Sequence, residues 1–257
     1  MSSPGSLSVV TTVRNAIPFI DGLVDAVPPP LRSRVRHVIA DGGSDDGTYE
    51  RLRVCAAREP HLVVLEPKHD SIAEGLNRAI GAVDSSHIVI LNADDGFEPG
   101  GLEALLRAVE APSPPSLVIG GLRVLDERGE TFRIQRVRRM KIGDIILGRD
   151  YPWNPACLAY ARSLHLRIGE YDEREPLFDL AWWLRLSLVA RPTLIEQVVG
   201  CFNMQPQSLT VRRIASGELE GMIEDLFARF EARLPIATRL GLSCRRVLRR
   251  WRRRQRP

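Results

Sequence analysis

The sequence predicts an α/β fold built on a doubly wound, mostly parallel β-sheet flanked by helices. Short apolar segments rich in β-branched residues recur between residues 7 and 91, and each is followed by a stretch of helical composition. Most of these segments end in polar or glycine-rich residues, which is typical of loops at the carboxyl ends of parallel strands. Because such sheets bind ligands beyond those ends, we expect a functional site there.

The elements are assigned from apolar runs and from the turn residues between them. Near the N-terminus, strands are predicted over 7–13, 35–40, 62–65 and 87–91, and helices over 21–26, 48–59, 72–83 and 102–109. Farther along, strands are predicted over 117–125, 131–134 and 158–160, a helix over 180–188, and mainly helix beyond residue 208. We expect a main domain over residues 1–210 and a helical extension over 211–257.

The charge distribution separates the C-terminal tail from the rest of the chain. The formal net charge is +4, but residues 245–257 hold eight arginines and no acid. Removing those eight charges leaves −4 for residues 1–244, which argues against a nucleic-acid groove in the body. Apolar residues at helical spacing among the arginines predict a basic amphipathic helix, suited to an anionic membrane surface; a solvated tail is the alternative.

Cysteine usage and the chain's start bear on the expected compartment. Cys55, Cys157, Cys201 and Cys244 form no CxxC pair, which favours free thiols in a reducing compartment. The N-terminus lacks the basic start and apolar run of a secretory signal, and no window has the roughly 20 apolar residues of a membrane span. We therefore expect a cytoplasmic protein that can attach peripherally to the inner face of a membrane.

Two adjacent carboxylates follow the predicted fourth strand. Asp94 and Asp95 lie in the sequence Asn92-Ala93-Asp94-Asp95-Gly96. Carboxylate oxygens are ligands that Mg²⁺ or Mn²⁺ prefers, and such a cation can also take phosphate oxygens. The alternative is that the cluster only ends the strand and caps the next helix.

Five segments in order resemble family 2 glycosyltransferases of the GT-A fold, in the branch that contains enzymes of cell-surface polysaccharides and glycolipids. The resemblance covers roughly residues 7–110 with specific motifs and is thin over about 150–210. The segments are TVRNA at 12–16, IADGGSDDGT at 39–48, EP with IAEGLNRAI at 66–80, LNADD at 91–95, and GEYDE with FDLAWWLR at 169–185.

The resemblance implies a role for each matching position. For the nucleotide-sugar donor, it implies contacts from Thr12, Val13, Asn15, Asp41, Asn77, Asn92 and Asp94, with Asp41 at the base or ribose and Asp94 near the ribose. It implies that Asp95 binds the cofactor, Mg²⁺ or Mn²⁺, directly.

The second half is expected to supply the acceptor side and the catalytic base. The resemblance implies that Asp179 is the base; a helix N-cap before Leu180 is the structural alternative, and both can hold. Trp153 and Asn154 are assigned to the acceptor side. This chain departs from the family pattern at Asn154, where relatives often have histidine, and at Phe178, where they have an acid; residues 68–71 also differ.

The resemblance implies an inverting glycosyltransferase that moves a sugar to an acceptor hydroxyl on a glycan or a lipid-linked molecule. Without a Gln-x-x-Arg-Trp segment, a single transfer per encounter is expected rather than processive synthesis. Two alternatives stay open. A nucleotidyltransferase would favour a glycine-rich loop after the first strand, which Thr11–Asn15 lacks, and a non-catalytic, membrane-associated nucleotide-sugar-binding protein would not hydrolyse the donor. No nucleic-acid partner is expected.

Overall fold

The computed structural model describes residues 5–68, 71–147, 151–205 and 208–236, and forms one mixed α/β unit around a nine-stranded sheet. The strands are β1 Leu7–Val13, β2 Val35–Asp41, β3 Leu62–Leu65, β4 His87–Ile90, β5 Gly96–Phe97, β6 Leu117–Leu125, β7 Thr131–Gln135, β8 Leu158–Ala161 and β9 Thr193–Asn203. The helices are α1 Ile20–Asp25, α2 Thr48–Ala56, α3 Ile72–Gly81, α4 Gly101–Val109, α5 Ile142–Ile146, α6 Arg162–Ile168, α7 Phe178–Val189, α8 Leu209–Ala215 and α9 Glu218–Glu231.

The strand order is β3-β2-β1-β4-β8-β6-β9-β5, with β7 paired to β6. Strands β3, β2, β1 and β4 are mutually parallel. Strand β8 runs antiparallel to both β4 and β6, so that β6 and its parallel neighbour β9 point the same way as the first four. Strands β5 and β7 are antiparallel to their partners. The prediction of a mostly parallel sheet flanked by helices is confirmed.

Strand β1 is buried on both faces of the sheet, which is why it is an almost continuous apolar run. Val10 belongs to the core on the face covered by α3, α7 and α9, whereas Val9 and Val13 belong to the core under α1, α2 and α4. Because successive side chains of a strand point to opposite faces, this strand needs apolar residues at nearly every position. Its central position places its carboxyl end in the middle of the ligand-binding edge.

Strand β9 was not predicted from the sequence, although it has 11 residues. Glu196 and Gln197 interrupt its apolar pattern, and its pairing with β6 shifts register twice. Gly200 allows a close approach to the segment before β8, because a Cβ there would lie 2.8 Å from the Ala156 carbonyl oxygen. This strand brings residue 203 to the edge that β1 and β4 share.

The helices after β9 agree with the expectation of helix beyond residue 208. Leu226 and Phe227 of α9 are buried in the core beside α7, so the inner face of this helix packs on the main body. The division at residue 210 stays a prediction. The basic tail at 245–257 lies outside the described residues. Among the residues that are described, no helix is long and apolar enough to span a membrane.

Candidate active site

The loop after β1 and the turn after β2 form one hydrogen-bonded unit. The Asn15 N–H donates to Ser44 Oγ at 2.9 Å, and the Asp45 N–H donates back to Asn15 Oδ1 at 3.0 Å. The Ala16 N–H donates to Thr48 Oγ1 at 2.9 Å. Asn15 adopts a positive φ of 53°, a conformation that asparagine tolerates better than most residues. The first two sequence motifs are therefore the two halves of a single structural element.

The Asp41 carboxylate stabilises the turn after β2 by accepting hydrogen bonds from it. Its side chain is fully buried; Oδ1 accepts from the N–H groups of Gly43 and Ser44 at 2.9 Å, and Oδ2 accepts from Ser44 Oγ at 2.7 Å. Gly43 has a φ of 77°, which only glycine adopts freely. Asp41 does not line the cavity described next, because both of its carboxylate oxygens are engaged by the turn. In this structure the Asp41 carboxylate shapes the loop, and the contact with the base or ribose stays a prediction.

A cavity of about 690 Å³ opens at the carboxyl ends of β1 and β4. This volume lies in the range of small-molecule sites. Seven of the sequence-predicted site residues line it: Thr12, Val13, Asn15, Asn92, Asp94, Trp153 and Asp179. The opposite wall is largely apolar and comes from α7, α9 and Phe202. Among the lining residues described, Arg14 and Arg213 supply the positive charge.

Asp94 and Asp95 differ in their surroundings. Asp94 lines the cavity, and none of its hydrogen-bond partners among the described residues is a side chain that donates to its carboxylate. Asp95 lies behind it: Oδ2 accepts from Asn92 Nδ2 at 2.8 Å and from Asn154 Nδ2 at 2.6 Å, and Oδ1 accepts from the Asn203 N–H at 3.0 Å. Asp94 thus faces the cavity, whereas the Asp95 carboxylate is held by three amide donors, and the prediction that Asp95 binds the metal directly stays a prediction.

Burial, and then the neighbouring charge of Asp94, raise the pKa of the Asp95 carboxyl to about 7, while the three amide donors act in the other direction. Burial also raises the pKa of Asp94. Two adjacent carboxylates in this environment favour a nearby cation, because its charge offsets both the desolvation and the mutual repulsion. The described residues contain no group of three or more His, Cys, Asp or Glu side chains that could enclose a metal. The donor set therefore fits a divalent cation that takes its other ligands from phosphate and water.

Asp179 also lines the cavity, from the first turn of α7. The helix begins at Phe178 with Leu177 as its N-cap, so Asp179 is not the cap, although its Oδ1 accepts from the Leu180 N–H at 2.7 Å. Its side chain is exposed at the cavity, and desolvation by the surrounding walls raises its pKa. The Leu180 N–H and the charge of Arg213 act against that shift. A carboxyl with a raised pKa is closer to the range that suits a general base.

The two residues assigned to the acceptor side take different positions. Trp153 lines the cavity, is 41% exposed, and has the Arg133 guanidinium carbon 5.0 Å from its ring centre. Asn154 is buried; its Nδ2 donates to Asp95, and its Oδ1 accepts from the Ala156 N–H at 2.9 Å. Asn154 is thus a support of the carboxylate pair rather than a cavity residue.

Asn77 also lies away from the cavity. Its Nδ2 donates to the Tyr171 carbonyl oxygen at 2.9 Å, and its Oδ1 accepts from the Tyr171 N–H at 3.0 Å. This reciprocal pair joins α3 to the segment that leads into α7 and Asp179. Both polar groups of the Asn77 amide are engaged by the main chain of Tyr171, and the expected contact with a base or phosphate stays a prediction.

Sequence reasoning missed three residues that the fold brings to this site. Asn203 donates its main-chain N–H to Asp95 and its Nδ2 to the Asp94 carbonyl oxygen at 2.6 Å. Arg213 and Tyr151 line the cavity. A signal for Asn203 existed, since it ends an apolar run as Asn15 and Asn92 do, whereas nothing in the local sequence distinguishes Arg213 from its neighbouring arginine.

Two relatives indicate the functional context. The succinoglycan biosynthesis protein ExoA of Rhizobium meliloti is 30% identical over 124 residues, which are 46% of this chain and only 37% of ExoA. An uncharacterized glycosyltransferase of Mycobacterium tuberculosis is 26% identical over 208 residues, or 79% of this chain and 77% of the relative.

Solved structures share the fold at low sequence identity. TarS 1–349 of S. aureus in complex with UDP-GlcNAc has a TM-score of 0.65 at 14% identity, covering 88% of this chain and 71% of that one. The mannosyltransferase PcManGT of Pyrobaculum calidifontis, in complex with GDP-Man and Mn²⁺, has a TM-score of 0.61 at 17% identity, covering 97% and 84%. These matches confirm the GT-A fold. The profile of glycosyl transferase family 2 matches residues 8–167, more than half of the chain, and the protein therefore belongs to that family.

Proposed function

We propose that this glycosyltransferase moves a sugar from a nucleotide diphosphate sugar to an acceptor hydroxyl, with inversion at the anomeric carbon. The observation that carries the proposal is the placement of Asp94 and Asp179 in one cavity, although they are far apart in the sequence. Asp94 lies at the strand ends, where we place the donor, and Asp179 lies in the apolar wall formed by α7. Two separated carboxylates can serve leaving-group and nucleophile chemistry at the same time.

Direct displacement needs a proton acceptor on the acceptor side. Asp179 takes the proton of the acceptor hydroxyl as its oxygen forms the new bond to the anomeric carbon. The bond between that carbon and the diphosphate oxygen breaks, and its electron pair leaves with the nucleoside diphosphate. A divalent cation at Asp94, when bound, supplies charge neutralisation for the diphosphate. Asp95, held by its three amide partners, fixes the position of Asp94.

The donor side is formed by residues 12–15 and by Asn92. Arg14 lies exposed in the cavity and offers a positive charge to the diphosphate, while the main chain around Asn15 is fixed by the turn after β2. The complexes of the structural neighbours suggest UDP-GlcNAc and GDP-mannose as the first donors to try. The likeness to ExoA suggests an acceptor in polysaccharide or glycolipid synthesis, with one sugar added per encounter.

Donor binding can be tested without knowing the acceptor. A ligand that binds only the folded state raises its melting temperature, so UDP-GlcNAc and GDP-mannose are compared with and without Mn²⁺. We expect one donor to stabilise the protein in the presence of Mn²⁺, and Asp94→Ala to remove that increment. Stabilisation that is independent of Mn²⁺ and unchanged in Asp94→Ala would contradict the metal-bound donor.

We further propose that the tail at 245–257 attaches the enzyme to an anionic membrane surface. The support is the charge contrast between eight arginines there and the net −4 of the remaining chain. Each interfacial arginine contributes about 1 kcal/mol near anionic lipid. Deleting 245–257 should release the protein from phosphatidylserine vesicles in sedimentation at low salt while leaving donor stabilisation intact. Equal sedimentation of the two forms would show that the tail has another role.

A further inference from the structure

A second cavity adjoins the proposed active site between α5, α8 and α9. Its volume is about 490 Å³, and it shares the wall residues Arg213, Leu219 and Ile223 with the first cavity. The first cavity holds the carboxylates Asp94 and Asp179, whereas the lining of the second contains neither. The two cavities therefore adjoin at Arg213, Leu219 and Ile223.

The second cavity is mainly apolar. Six of its ten lining residues are Ile146, Leu147, Ile214, Leu219, Ile223 and Phe227. Ile214 is 53% exposed, which is costly for a large aliphatic side chain on a helix that packs at the mouth of a cavity. Such a lining suits a ligand whose main contribution is hydrocarbon surface.

The charges around the groove limit what that ligand can be. Arg213, at the junction with the first cavity, donates to the Pro176 carbonyl oxygen at 3.0 Å and adds positive charge near Asp179. Glu220 and Glu224 lie on the exposed side of the groove. A polyanion lying along the groove would be repelled by the two glutamates, whereas a neutral chain with one anionic group at the junction would not.

We propose that this groove binds the hydrocarbon chain of the acceptor, and that Arg213 binds a phosphate group which joins that chain to the acceptor's sugar-accepting end. This inference rests on the proposed transfer at Asp179 and specifies the acceptor as a phosphate-linked alkyl or isoprenoid lipid. The groove holds the portion of the chain nearest the phosphate, and each methylene that it removes from water strengthens binding.

Binding of n-decyl phosphate to the full chain tests the site. Calorimetry below the micelle concentration should show affinity at least tenfold higher than for inorganic phosphate, which lacks the hydrocarbon chain. n-Decanol should bind more weakly than n-decyl phosphate, and Arg213→Gln should remove that difference. Equal affinities for n-decyl phosphate and inorganic phosphate would overturn the proposal that the groove binds the hydrocarbon chain. Equal affinities for n-decanol and n-decyl phosphate would overturn the proposal that Arg213 binds the phosphate.

Ile214→Asp places a charge in the groove at an exposed position, and Leu188→Asp is the matched control, because Leu188 is 50% exposed on α7 outside the groove. We expect Ile214→Asp to weaken n-decyl phosphate binding at least tenfold, Ile214→Leu to preserve it, and Leu188→Asp to leave it within twofold. Similar binding by wild type and Ile214→Asp would overturn the proposal and indicate that another part of the chain or a second copy covers the groove.

Donor stabilisation in the same samples distinguishes the two proposals. If wild type responds to a nucleotide sugar with Mn²⁺ but fails the n-decyl phosphate test, the groove assignment is wrong and the transferase assignment stands. If it binds n-decyl phosphate but no donor, the proposed transfer fails instead. Since Ile214 does not line the first cavity, Ile214→Asp should leave donor stabilisation unchanged.

Discussion

Residues 7–109 and residues 117–231 form the two sides of the cavity in different ways. In the first region, β1 and β2 are parallel neighbours, and the loops that follow them bind each other through Asn15 and Ser44. In the second, Asn154 and Asn203 reach Asp95 from segments that are distant in sequence and adjacent only through the sheet. The comparison teaches that local motifs specify the donor side, whereas long-range packing positions the groups that support it.

Among the residues that support the carboxylate pair, the largest effect is expected at Asn203. Asn203→Ala removes the Nδ2 donor to the Asp94 carbonyl oxygen and leaves its own main-chain bond to Asp95 possible. Loss of a supporting hydrogen bond around a metal site typically costs 10- to 100-fold in metal affinity, and we expect that range for Mn²⁺-dependent donor binding. Titration of donor binding against Mn²⁺ measures it.

Glu196→Ala is the control, because Glu196 is an exposed residue of the same strand. It should leave the Mn²⁺ dependence unchanged. If Asn203→Ala also behaves like wild type, the first region alone forms the donor site and the comparison above is wrong.

Asn77 tests the link between the two regions. Asn77→Ala leaves the N–H and carbonyl of Tyr171 without their side-chain partners, and unsatisfied partly buried groups cost about 1–3 kcal/mol each. We expect the free energy of unfolding to fall by about that amount in a denaturant titration, with donor affinity unchanged. Arg78→Ala, at the next residue on α3, is the control and should cost less, because the bond that Arg78 donates to the Glu66 carbonyl oxygen is exposed. If Asn77→Ala loses donor affinity but not stability, the result would support the prediction from the sequence that Asn77 contacts the donor.

His165 gives the second region a pH dependence. It is buried among the rings of Tyr160, Tyr171 and Trp182, and burial, with the charge of Arg185, lowers its pKa to about 4. The unfolded chain, with a pKa near 6.5, takes up the proton first. Stability from this group is therefore fully present above pH 6.5 and is lost as the pH falls toward 4.

At pH 5.5 the loss from His165 should be about 1.4 kcal/mol, since the pH lies about one unit below the unfolded pKa. Unfolding free energies of wild type and His165→Phe are compared at pH 7.5 and 5.5. Between these two pH values, the unfolding free energy of wild type should fall by about that much more than that of the variant. Comparing the two proteins cancels the opposing contributions of the carboxyls, which are common to both. Equal pH dependence would show that His165 is protonated in the folded state.

The sequence predicted the first region well because its signals are local. Buried parallel strands are apolar runs, and polar or glycine-rich residues follow them directly, so that β1, β2 and β4 and their loops could be located. The hydrogen-bond partners of Asp41 and Asn77 could not be predicted, because they are main-chain groups whose positions depend on the folded turn and on Tyr171.

The second region could be predicted only in part. Strand β6 matched its predicted bounds and α7 was found, but β9 was missed because polar residues interrupt its apolar pattern. Without β9, neither the approach of Gly200 to Ala156 nor the contact of Asn203 with the carboxylate pair could be inferred. Pairing of β6 with β9 joins segments far apart along the chain, and no local pattern encodes it.

The catalytic pairing of the two regions is tested most directly by Asp179→Asn. The amide keeps an oxygen for the Leu180 N–H but cannot accept the acceptor's proton. With the donor that stabilises the protein, release of nucleoside diphosphate to water or to an added acceptor should fall 10²- to 10⁴-fold while donor affinity stays within twofold. Asp172→Asn, a change at an exposed carboxylate before the same helix, should stay near wild type. Wild-type turnover in Asp179→Asn, or a loss in Asp172→Asn instead, would contradict the account.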